Sequence, residues 1–144
     1  MTVLIVDDEP GDLDSERDAL ALAGYDILTA DSAESAIEKF IERAGEIDVA
    51  VLDISLPGRN GVELFHELLK QNPRMRVLFV SGHVGAEVVR FYGLRTINRH
   101  FLKKPFAREA LVERLAEIMN SPHQMKLQDF ELPRPGASRD ASPH

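Results

Sequence analysis

Five times between Met1 and Asn120, a short apolar run gives way to a segment of helical period, and few folds accept that alternation. The first run is Val3–Val6. Leu13, Leu20 and Ala23 then fall near one helical face, with Gly24 placed to stop the helix. Asp26–Ala30 reads as a second strand, followed by Ala33, Ala36, Ile37, Phe40, Ile41 and Ala44 at helical spacing and Gly45 at the stop. Val49–Leu52 is apolar on both faces, as a central parallel strand covered on both sides must be. Leu64, Phe65, Leu68 and Leu69 form the next helical stripe, closed by Asn72-Pro73. A strand from about Arg76 to Val80, a helix over Ala86–Tyr92, a strand over Thr96–Leu102 and a last helix lined by Ala107, Ala110, Leu111, Leu115 and Ile118 complete the series. Five βα units predict an α/β fold, a doubly wound parallel sheet with helices on both faces.

Parallel strands bring their C-terminal ends to one edge, where open α/β sheets keep their ligand sites. The residues that follow the runs are Asp7 and Asp8, then Asp53, then Ser81, then Lys104-Pro105. Taken singly, each has an ordinary explanation. Asp8 would serve as a helix cap before Glu9-Pro10, Asp53 as the start of a turn into Pro57-Gly58, and Ser81 as a cap for the helix after it. None of these accounts for the joint pattern of acids after two runs, a hydroxyl after a third and a lysine after a fourth.

Chemistry supplies a common reason. Two carboxylates about 4 Å apart repel by roughly 4 kcal/mol at an effective dielectric near 20, so three acids in one pocket require a counter-charge. Magnesium prefers oxygen ligands and is commonly held by one or two carboxylates together with phosphate oxygens. A carboxylate is also a competent nucleophile towards phosphorus. Lys104 as a point charge and Ser81 as a hydroxyl complete a site for a divalent cation and a phosphoryl group.

Composition removes other classes. With 144 residues and 44% hydrophobic content, the chain buries one core rather than two. A formal net charge of -7 leaves no basic stripe for nucleic acid or an anionic membrane surface. The absence of cysteine excludes disulfides, thiolate zinc sites and thiol nucleophiles. No stretch reaches the roughly 20 apolar residues of a membrane span, and Val3–Val6 is too short for a signal-peptide core. A cytoplasmic protein without direct nucleic-acid or membrane contact is expected. Four of the eight prolines fall in residues 121–144, which predicts a single domain over 1–120 and a Pro-rich, disordered tail over 121–144. Met125, Leu127, Phe130 and Leu132 leave a docking role open to that tail.

Asp7-Asp8, then Asp53-Ile54-Ser55-Leu56-Pro57-Gly58-Arg59-Asn60-Gly61, then Ser81-Gly82-His83, then Phe101-Leu102-Lys103-Lys104-Pro105-Phe106 resemble, in order and spacing, the signatures of response-regulator receiver domains of two-component signalling. The resemblance covers residues 1–120. It implies a flavodoxin-like five-stranded sheet of order 2-1-3-4-5. It also implies that Asp53 is the phosphoacceptor, and that Asp8, Asp53 and the backbone carbonyl of Ser55 ligate Mg2+ with Asp7 beside them. Lys104 would contact the phosphoryl group, Ser81 and Phe101 would form the switch pair, and the Lys104–Pro105 bond is a candidate for the cis form.

By the same resemblance the chain is a single-domain phosphoacceptor rather than an enzyme, although it assists its own phosphorylation and dephosphorylation. Its partners would be a histidine kinase or histidine phosphotransfer protein and a downstream protein target, with a homodimer open. Phe91–His100 departs from the usual pattern and puts the output surface in question. Ser55 and His83 stand where the family tunes dephosphorylation. Two other classes stay open on residues alone. A phosphorylation-independent scaffold would not need magnesium, and an aspartyl phosphohydrolase would usually carry an acid where Ser55 stands.

Overall fold

The computed structural model describes residues 1–43, 45–82 and 100–121. In chain order the elements are β1 (Thr2–Val6), α1 (Pro10–Leu22), β2 (Asp26–Ala30), α2 (Ala33–Glu42), β3 (Ile47–Asp53), α3 (Gly61–Gln71), β4 (Arg76–Ser81), β5 (Phe101–Lys103) and α4 (Arg108–Asn120). All strand pairings are parallel, and the sheet order is β2-β1-β3-β4-β5. This is the doubly wound 2-1-3-4-5 arrangement that the resemblance implied.

Period-two alternation along the strands divides the core in two. Leu4, Val6, Ala50, Leu52, Val77 and Phe79 face α2 and α3, while Val3, Ile5, Val49, Val51, Leu78 and Val80 face α1 and α4. On the first face Phe65 and Phe79 meet edge to face, with ring centroids 5.9 Å apart. Strands with no polar face have to lie inside such a sandwich.

Several expected details shift. Ala23 is exposed, because α1 ends at Leu22 and Ala23 is its C-terminal cap, with Gly24 at φ +101° just beyond. Ile41 is also exposed, since Ala33, Ala36 and Phe40 already fill the space against the sheet. Ala107 is the exposed N-cap of α4, and Leu111, Leu115 and Ile118 carry its buried stripe. Among the described residues the fifth strand is Phe101–Lys103, with His100 in the turn before it. The expected helix over Ala86–Tyr92, His83, most of Phe91–His100 and the tail beyond Ser121 lie outside the described residues.

The loop carrying Asp53 is fixed at its far end by the start of α3. There Asn60 Oδ1 accepts from the Glu63 backbone N–H at 2.9 Å, and the Asn60 backbone N–H donates to Glu63 Oε1 at 3.2 Å. This capping box satisfies two amides that the helix itself cannot. Asn60→Ala should therefore cost about 1 kcal/mol of unfolding free energy, read as a lower urea midpoint. An unchanged midpoint would show that the cap contributes nothing.

Candidate functional site

Each polar cluster begins at, or one step beyond, the end of a strand, where the sheet's hydrogen-bond ladder continues into the loops. Asp7 N–H donates to the Ala30 carbonyl at 3.2 Å, Ile54 N–H to Val80 at 2.9 Å, and Lys104 N–H to Ser81 at 2.7 Å. These bonds hold the backbone of all four polar clusters in one frame. Asp53 is the last residue of β3 and Ser81 the last of β4, and both are buried. The Lys104–Pro105 peptide bond is cis.

Asp7 is fully buried beneath this edge, whereas Asp8 beside it is exposed. Carboxylate oxygens of Asp7, Asp8 and Asp53 come within 4.8 Å of one another. Asp7 Oδ1 accepts from the Glu9 backbone N–H and Asp53 Oδ1 from that of Ser55, at 2.9 and 2.8 Å. Their other oxygens meet Lys104, whose Nζ lies 2.8 Å from Asp7 Oδ2 and 3.2 Å from Asp53 Oδ2. Ser81 Oγ lies 3.5 Å from Ser55 Oγ, and Phe101 packs partly buried against the core on the α2 and α3 face.

Two further acids reach this site from α1, and the sequence reading passed over both. Asp12 Oδ2 is 2.9 Å from Lys104 Nζ. Glu16, one turn on, is only 3% exposed, and its Oε1 has no hydrogen-bond partner among the described residues. The signal was present: Leu13, Glu16 and Leu20 share one helical face, and an acid on a face otherwise read as apolar marks a buried titratable group.

The electrostatics follow from one ammonium facing several carboxylates. Burial would lower the pKa of Lys104, but its bonds to Asp7 and Asp12 and the nearby Asp53 charge outweigh that and raise it, so Lys104 stays charged. Burial pushes Asp7 above its ordinary value, and the Asp53 charge adds to the rise; the hydrogen bonds from Lys104 and Glu9 offset only part of it. Burial likewise pushes Glu16 up to about 8, helped by the charges of Asp7, Asp12 and Asp53 and opposed by Lys104. The site carries more negative charge than Lys104 can balance. Three converging carboxylates with a surplus of negative charge suit a hard divalent cation.

Glu16 gives a pH prediction. Its folded pKa lies above the unfolded value of 4.5, so the native state binds the extra proton and stability falls as pH rises from about 4.5 through about 8. Glu16→Gln removes that charge. In EDTA, the variant should gain on wild type between pH 6 and pH 9 by about 1–3 kcal/mol, measured by urea unfolding at each pH. A gap that stays constant across this range would contradict the assignment.

A family model described as the response regulator receiver domain matches residues 3–116. TcrX, a probable transcriptional regulatory protein of Mycobacterium tuberculosis, is 36% identical over 119 residues, which cover 83% of this chain and 50% of TcrX. The chemotaxis protein CheY of Thermotoga maritima is 28% identical over 117 residues, covering 81% of this chain and 95% of CheY. A crystal structure of a response regulator receiver domain protein from Clostridium thermocellum matches with a TM-score of 0.72 at 25% identity, covering 83% of this chain and 94% of that one. This chain thus spans about half the length of TcrX and nearly all of CheY. Among the described residues, no helix is long and apolar enough to cross a membrane. The five-stranded fold, the strand-end acids and the match over residues 3–116 agree: the chain belongs to the response regulator receiver domains of two-component systems, a family of phosphoacceptors.

Proposed function

We propose that Asp53 is the phosphoacceptor of this receiver and that its phosphorylation, assisted by Mg2+, switches a protein-binding surface. The observation that carries this is the convergence of the Asp7, Asp8 and Asp53 oxygens within 4.8 Å, with Lys104 Nζ 3.2 Å from Asp53 Oδ2. In the transfer, an Asp53 carboxylate oxygen forms a bond to phosphorus as the donor's P–N or P–O bond breaks. The leaving group keeps the electron pair, and the product is an acyl phosphate. Mg2+, held by the carboxylates of Asp8 and Asp53 and the Ser55 carbonyl with Asp7 alongside, would neutralise the phosphoryl charge. The Ser55 N–H orients Asp53 through its other oxygen, and Lys104 supplies a permanent positive charge to the incoming group.

Ser81 and Phe101 are the proposed switch pair. Ser81 is buried beside Ser55, and Phe101 is half-buried on the neighbouring strand, so a turn of the hydroxyl towards the phosphoryl group and inward rotation of the ring would change the packing between β4 and β5. The phosphoryl source in this reading is a histidine kinase or histidine phosphotransfer protein in the cytoplasm, and the reader is a downstream protein or a second receiver. Domain 1–120 carries the chemistry, with 121–144 as a tail. Labelling tests the reading: wild type with Mg2+ and a small phosphodonor should gain a label that hydroxylamine removes, as acyl phosphates require. A hydroxylamine-stable label, or equal labelling in EDTA, would overturn it.

A further inference from the structure

Lys104 spends all three of its N–H donors on carboxylates, at 2.8 Å to Asp7, 2.9 Å to Asp12 and 3.2 Å to Asp53. The bond to the acceptor aspartate is the longest of the three. A phosphoryl group on Asp53 would take over the donor now given to Asp53 Oδ2, and for Lys104 to draw closer to it one of the other two bonds has to lengthen or be released. Asp7 is fully buried and cannot be left without a partner cheaply, whereas the Asp12 side chain is 46% exposed and water can replace the ammonium there. Lys104 also has room on that side, where it borders a cavity of about 160 Å³ with Asp12, Ser15, Glu16 and Phe106.

We propose that Asp12 is a positioning residue that holds Lys104 on the α1 side of the unphosphorylated site and sets the rate at which the ammonium becomes available to an incoming phosphoryl group. The proposal rests on the acceptor role of Asp53 put forward above. Asp12 touches neither metal nor phosphoryl group in this account. It acts through Lys104 alone, as a competing anion.

The test measures initial phosphorylation rates of the full chain with saturating Mg2+ and acetyl phosphate, for wild type, Asp12→Asn, Asp12→Glu and Asp14→Asn. Asp12→Asn should be faster by about two- to fivefold, the size of one half-exposed ion pair. Asp12→Glu restores the anion and should return to the wild-type rate. Asp14 lies on the same helix, exposed and paired with Arg17, so Asp14→Asn removes one negative charge without touching Lys104 and should also match wild type. An unchanged or slower Asp12→Asn, an equally fast Asp12→Glu, or equal acceleration by Asp14→Asn would each overturn the role of Asp12. A wild type that takes no label would defeat the acceptor reading itself and this proposal with it, an outcome distinct from labelled chains of equal rate.

Discussion

An alanine at Gly61 should destabilise the fold by about 3 kcal/mol, the upper end of what overpacking usually costs. A Cβ at this position would lie 2.4 Å from the Asp53 carbonyl oxygen and 3.0 Å from its carbonyl carbon. The obstructing atoms are backbone, and they belong to a central strand, so no side chain can turn aside to make room. Relief would require either Asp53 or the first turn of α3 to move. That turn is anchored by the Gly61 N–H to the Ile54 carbonyl at 2.9 Å and by the buried side chains of Val62, Leu64 and Phe65. Gly61→Ala should therefore lower the urea midpoint much more than Asn60→Ala next to it, and slow phosphorylation in the fraction that folds, because the displaced residue is the proposed acceptor. Midpoints for the two variants that coincide would contradict this packing.

The sequence made the architecture legible because the strands of a doubly wound sheet lie in its interior. Val3–Val6, Val49–Leu52 and Val77–Val80 lack a polar face, and only a two-sided sandwich buries such runs, so their order along the chain and the ends of the sheet followed together. The edge residues were legible for a related reason. Asp53 and Ser81 follow apolar runs directly and Lys104 follows one after a single residue, and the sheet brings those positions together whatever the helices do. Helix faces were harder. Ala23 and Ile41 continue an apolar period but fall outside the contact with the sheet, whose width, rather than the period, decides which turns are covered.

Asp12 and Glu16 were missed because the spacing of Leu13, Leu20 and Ala23 was read as a purely apolar stripe. A buried acid within such a stripe has no apolar reason to be there. It becomes intelligible only when Lys104, distant in sequence and adjacent in space, is placed beside it. Contacts between helix α1 and the residue after β5 depend on register and side-chain reach, which no local pattern encodes.

Asp53→Ala carries the largest functional effect expected. The substitution removes the only carboxylate of the proposed acceptor position while leaving Asp7 and Lys104 paired at 2.8 Å, so the fold keeps its buried ion pair. It also takes one negative charge from a site where acids outnumber cations, which relieves repulsion rather than adding to it. The variant should remain folded, with its thermal transition retained, and loss of labelling in it reports chemistry rather than collapse. Lys104 and Asp8 variants should be slowed by degree, since neither forms the bond to phosphorus.

Intact mass after incubation with Mg2+ and acetyl phosphate tests this most directly. Wild type is predicted to gain the mass of a single phosphoryl group, and folded Asp53→Ala to gain none. A phosphoryl group on Asp53→Ala at the wild-type level, or an unmodified wild type under conditions that label a control receiver, would contradict the assignment of Asp53 as the acceptor.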